Sequence, residues 1–67
     1  MIKSKRIAHR IYEAWHNGVR FEIDGQNHEF DSKEWELFVY DGDSALWVET
    51  YPTKREALAD IERIEIN

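Results

Sequence analysis

The chain has 67 residues, a formal net charge of −5, no cysteine, and three each of Trp, Tyr and Phe. A domain of this length buries only roughly 60% of the surface its unfolded chain exposes, and without cysteine it has no disulfide or thiolate–metal staple. No apolar run approaches the ~20 residues of a membrane span, and the charged N-terminus lacks the apolar stretch of a signal peptide, so a single domain over residues 1–67 in the cytoplasm is the expectation.

Residues 1–20 carry Lys3, Lys5, Arg6, Arg10 and Arg20 against Glu13, a net of +4. Residues 21–53 carry nine carboxylates against Lys33 alone, a net of −8, and the remainder is near balance at −1. The chain is therefore bipolar, with a basic start and an acidic middle. The aromatic load supplies core area that a short chain otherwise lacks.

In chain order, Ser4 reads as a helix N-cap and Asn17-Gly18 as a C-terminal stop. Between them Ile7, Ile11, Ala14 and Trp15 form a helical stripe, with Ala8 and Tyr12 at its edge. Lys5, Arg6, His9, Glu13 and His16 occupy the opposite face of that predicted helix. Val19, Phe21 and Ile23 then alternate with Arg20 and Glu22, and Asp24-Gly25 suits a type I′ turn. This predicts a hairpin over 19–31 that brings His28 opposite Phe21 and Phe30 opposite Val19. Its return strand, from Gln26 to Asp31, is weak in β-formers.

Trp35 to Tyr51 shows the clearest alternation. Trp35, Leu37 and Val39 interleave with Glu36, Phe38 and Tyr40, and Leu46, Val48 and Thr50 interleave with Ala45, Trp47, Glu49 and Tyr51. Asp41-Gly42 signals the turn. A two-residue loop sets Leu37 opposite Leu46; a loop from Asp41 to Ser44 sets Leu37 opposite Val48 and Val39 opposite Leu46. Both registers gather the aliphatic residues on one face and place Phe38, Tyr40, Trp47 and Tyr51 on the other. Pro52 ends the strand, and Thr53-Lys54-Arg55-Glu56 is a capping box for a helix with Ala57, Leu58, Ile61 and Ile64 on its apolar stripe. Leu37, Val48, Leu58 and Ile61 are predicted to share the core. Ile64-Glu65-Ile66 is a candidate terminal strand or a frayed end.

These elements predict an α+β domain: a four-stranded antiparallel meander flanked by two helices, in the order α-β-β-β-β-α. With both helices on one face, the aromatic face stays open; with one on each face, it is buried. The order of elements resembles a double-stranded-RNA-binding domain. That family has a lysine cluster at the start of its last helix, where this chain has Thr53, Lys54, Arg55 and Glu56, so the resemblance implies no RNA contact by that route. The run Leu46 to Thr53 followed by Glu56-Ala57 resembles the strand-turn-helix ends of short, uncharacterised bacterial and phage-encoded proteins, which implies an accessory protein of a phage or mobile element.

Enzyme chemistry finds little footing. His9, Glu13 and His16 share a face of the first predicted helix, but the two histidines lie ~10.5 Å apart along its axis, too far for one zinc ion. There is no Gly-rich phosphate loop and no cysteine nucleophile. The expectation is no enzyme, no metal and no cofactor. Two classes of function remain. The first is a protein-binding module or inhibitor. Its docking face comprises Phe38, Tyr40, Trp47 and Tyr51 rimmed by Glu36, Asp43 and Glu49, and its partner is a basic or nucleic-acid-binding protein. The alternative is a nucleic-acid binder that uses Lys3, Lys5, Arg6 and Arg10 on the first helix. Homo-oligomerisation is compatible with either.

Overall fold

The computed structural model describes residues 2–26 and 34–64. They form five strands and one helix: β1 (Ser4–Ala8), β2 (Ile11–His16), β3 (Val19–Asp24), β4 (Trp35–Asp41), β5 (Ser44–Tyr51) and α1 (Lys54–Ile61). The strands make one antiparallel sheet in the order β1-β2-β3-β4-β5. This corrects the predicted four-stranded meander between two helices. The class is α+β, but the order is β-β-β-β-β-α, and the element order that resembled a double-stranded-RNA-binding domain goes with the first helix.

The stretch predicted as helix is the β1–β2 hairpin. Ile11 and Trp15 are spaced four apart, which satisfies both a helical stripe and one face of a strand, while Ile7 lies across the turn on β1. What decides between them is Asn17-Gly18. Both residues have positive φ (52° and 78°), the requirement of a type I′ turn, so they join β2 to β3 and do not stop a helix. In that register Ala14 faces Phe21 and Tyr12 faces Ile23.

The predicted hairpin over 19–31 is also corrected. β3 already has β2 on one side and β4 on the other, with Phe21 opposite Val39 and Ile23 opposite Leu37. Asp24-Gly25 is not a hairpin turn: the Asp24 carboxylate accepts from the Gln26 amide at 2.7 Å. The expectations for His28 and Phe30, and for a terminal strand over 64–66 beyond Ile64, lie outside the described residues. Gly25 is buried where three segments meet. Its amide donates to the Arg10 carbonyl (2.7 Å), its carbonyl accepts from Arg10 Nε (2.9 Å), and a Cβ here would lie 2.8 Å from the Trp35 ring.

The β4–β5 hairpin follows the longer of the two predicted loops near its turn, with Val39 opposite Leu46 and Asp41 paired to Ser44. The turn residues are Gly42 and Asp43, of which Gly42 alone has positive φ (63°), the pattern of a type II′ turn. Between Leu37 and Phe38 the register shifts, because Leu37 faces Glu49 while Phe38 faces Trp47. Val48 is the extra residue of a bulge. One extra residue inverts the alternation beyond it, so Tyr51 falls on the same side as Trp35 and not beside Phe38 and Tyr40.

The core lies between the sheet and α1. Ala14, Phe21, Ile23, Leu37, Tyr51, Ala57 and Ile61 are buried together, and Val48, Leu58 and Ile64 pack partly buried around them. The helix starts where the capping residues place it, with the Thr53 hydroxyl accepting from the Glu56 amide at 3.1 Å. The Tyr51 hydroxyl donates to the Asp60 carboxylate, which ties the end of β5 to the last turn of α1. Burial, and then this bond, push the Tyr51 phenol well above its ordinary value near 10.

Two measurements check this packing. Leu37→Ala should cost about 2–5 kcal/mol in urea unfolding, Leu58→Ala less because Leu58 is only partly buried, and Thr53→Ala about 1 kcal/mol. A phenol whose folded-state pKa is raised contributes stability that is fully present below the unfolded value near 10 and is lost as pH rises through and beyond it. The melting temperature should therefore fall as pH rises from about 10 to about 12, and fall less steeply in Tyr51→Phe.

Candidate protein-docking face

The face of the sheet away from α1 is laid out by the strand register. Lys5 faces Glu13, Glu13 faces Glu22, Glu22 faces Phe38 and Phe38 faces Trp47, a continuous row across all five strands. Beside it runs a second row: Ala8, Ile11, Asp24, Glu36 and Thr50. On the other side Trp15 faces Arg20 and Tyr40 faces Ala45, and the Arg20 guanidinium reaches across to lie 4.3 Å from the Tyr40 ring centroid.

These side chains hold one another in place. The Trp15 indole N–H donates to Glu13 Oε1 at 3.0 Å. Arg20 Nε lies 2.9 Å from Glu13 Oε2, a charge contact in which the N–H does not point at the oxygen. The Tyr40 hydroxyl donates to Glu22 Oε2 at 3.0 Å. That bond to Glu22 is the main cause that raises the Tyr40 pKa above 10.0, with burial second. Glu13 and Glu22 are directly opposed across two strands, an arrangement that destabilises unless a cation intervenes; Arg20, against Glu13 and above Tyr40, is that cation.

Two large apolar side chains stand out from this ordered surface. Trp15 is 57% exposed and Trp47 is 56% exposed, while Phe38 and Tyr40 between them are half-buried. A shallow hollow of about 470 Å³ lies between Trp15, Glu13, Arg20 and Tyr40, next to the β2–β3 turn.

The predicted docking residues divide accordingly. Phe38, Tyr40, Trp47 and Glu36 share the open face, and Asp43 sits exposed in the turn at its end. Glu49 is withdrawn from the rim: the bulge turns it to the helix side opposite Leu37, where it is exposed and accepts from the Thr50 amide at 2.9 Å. Tyr51 is withdrawn from the set: it is 9% exposed, beneath α1. Trp15, Glu13, Arg20 and Glu22 belong to the face and were missed: the helical reading of residues 4–17 put Trp15 and Glu13 on a different element, and the predicted hairpin over 19–31 paired the strand of Arg20 and Glu22 away from β4. The signal that finds Trp15 and Glu13 is Asn17-Gly18 read as a hairpin turn.

The alternative basic set is also dispersed. Lys5 lies on the open side opposite Glu13, while Arg6 lies on the helix side opposite Tyr12. Arg10 stacks 4.3 Å over Trp35. With the first helix gone, Lys3, Lys5, Arg6 and Arg10 form no single patch. Glu13 and His16 likewise face opposite sides of β2, and among the described residues no three His, Cys, Asp or Glu side chains converge to hold a metal ion. No described helix is long and apolar enough to cross a membrane. No family model, curated protein or solved structure matches the chain.

The bond to Glu22 has a direct readout. In Glu22→Gln the Tyr40 phenol should titrate closer to 10, followed by the chemical shift of labelled tyrosine ring carbon. An unchanged Tyr40 titration would show that Glu22 does not set it.

Proposed function

We propose that the protein is a small docking module or inhibitor whose open sheet face binds a basic surface of another protein. The observation that carries the reading is the pair of half-exposed tryptophans on one pre-ordered face, with Phe38 and Tyr40 between them. Exposed aromatic patches are uncommon on monomers and mark contact sites, and aromatic anchors inside a polar rim are the usual composition of binding hot spots.

Charge supplies the partner's sign. Glu13, Glu22, Asp24 and Glu36 lie on the face against Lys5 and Arg20, and Asp43 borders it. Carboxylates spread over a surface can stand in for phosphates, so a nucleic-acid-binding protein is the natural class of partner. Five strands at ~4.8 Å and about six residues at ~3.4 Å give a flat footprint of roughly 500 Å². A standard interface buries about 800 Å² per partner, so this contact belongs with small, transient ones, assisted by electrostatic attraction.

Photo-crosslinking in source cells tests the reading, with benzoylphenylalanine in place of Phe38 on the face or Glu62 on the helix side. A basic protein captured from position 38, absent from position 62, and lost on adding Trp15→Ser and Trp47→Ser or on raising salt, is the expected result. Equal capture from both positions, or capture insensitive to the tryptophans, would reject the face as the docking surface.

A further inference from the structure

Among the described residues, the Trp and Tyr rings that reach the surface are treated in two ways. Three carry a cation of the chain's own: Arg10 over Trp35 at 4.3 Å, Arg20 over Tyr40 at 4.3 Å, and Lys54 over Tyr12 at 3.7 Å. Trp15 and Trp47, the two most exposed aromatic rings among the described residues, have no cation of those residues over them. Resting on the docking reading, we infer that Trp15 and Trp47 are twin receptor sites for arginine side chains of the partner, each guanidinium stacking on an indole with a carboxylate nearby.

Arg20 shows the arrangement within the molecule. Its guanidinium lies over an aromatic ring while its Nε sits 2.9 Å from a carboxylate. Trp15 offers an incoming cation the same components, because Glu13 holds the indole by its N–H and keeps the ring presented. Trp47 stands opposite Phe38, with Glu36 two residues along from Phe38 on the same open face. Indole is the strongest of the aromatic faces for a cation, and arginine the cation that stacks most often. The surrounding carboxylates attract a cationic segment and disfavour an acidic one.

The register also fixes the spacing. Trp15 on β2 and Trp47 on β5 are three strands apart and one row apart, which places them roughly 16 Å from each other at ~4.8 Å per strand and ~3.4 Å per residue. An extended segment covers most of that distance with four residues, which also returns its side chains to the same face, and the length of the arginine side chain makes up the rest. The partner therefore presents two arginines four residues apart on an extended segment.

A synthetic peptide tests this directly. The probe is a capped Ser/Gly peptide with arginines at i and i+4; its controls replace both arginines with citrulline, or one arginine with serine. The readout is the three indole N–H signals of the protein in ¹H–¹⁵N spectra. The Trp15 and Trp47 signals should move together with the two-arginine peptide, the Trp35 signal should stay, since Arg10 already covers that ring, and citrulline should move none. Trp15→Leu or Trp47→Leu should weaken binding roughly 3- to 30-fold. Equal shifts with citrulline, or movement of Trp35 alongside the others, would overturn the inference using the unmodified protein alone. So would undiminished binding in a folded Trp15→Leu/Trp47→Leu protein. The docking reading has a separate failure, since crosslinks confined to the open face but indifferent to arginine leave it standing while removing this one.

Discussion

Phe21, Ile23 and Leu37 are fully buried beneath a helix of only eight residues, and the rest of the molecule follows from that mismatch. Five strands span roughly 24 Å, whereas an eight-residue helix is about 12 Å long and ~10 Å wide. It can cover one face, and not all of that face: α1 lies against β4 and β5. On the β2 side the cover comes from side chains. Tyr12 stacks at a tilt on Trp35 with ring centroids 6.0 Å apart, and Lys54 reaches from the helix to lie over Tyr12. Arg10 lies over Trp35, held there by its paired bonds to the Gly25 backbone.

A cation over a ring is an economical way to finish a small core. The stem of Lys or Arg covers apolar surface while the charged end stays near water, and the ring face is itself attractive to the charge. In a chain with few aliphatic residues to spare, the same device recurs on both sides of the sheet. On the helix side it extends the reach of the core. On the open side it organises Arg20, Tyr40, Glu13 and Glu22 into a fixed surface.

That fixed surface bears on binding. Side chains already held by hydrogen bonds and stacking lose less freedom on association, which lowers the cost of forming an interface. Trp15 is pinned through its N–H, and Trp47 is set by its cross-strand pairing with Phe38. The bulge at Val48 contributes as well. It keeps Val48 against the core and turns Tyr51 under the helix, while Trp47 stays on the open side. The residue that interrupts the ladder thus separates the aromatic of the core from the aromatic of the face.

Residues 35–61 were largely legible because their signals are local. Alternation with period two, a glycine-containing turn and a threonine cap each act within a few residues, and together they specify strand, turn, strand and helix, with Leu37 and Ile61 inward. The pairing of Phe38, Tyr40 and Trp47 on one face could also be read, since both candidate registers preserve it. The first sixteen residues were not legible in the same way. Ile11 and Trp15 fit helix and strand equally, and the Asn17-Gly18 turn decides for strand by setting Phe21 and Ile23 of β3 across from Ala14 and Tyr12. Pairing of β3 with β4 likewise joins residues well separated in sequence, a contact to which no local pattern points. The tertiary structure alone decided that Tyr51 is core and Trp15 is surface, because a bulge and a strand pairing invert which way a side chain faces without changing a single residue.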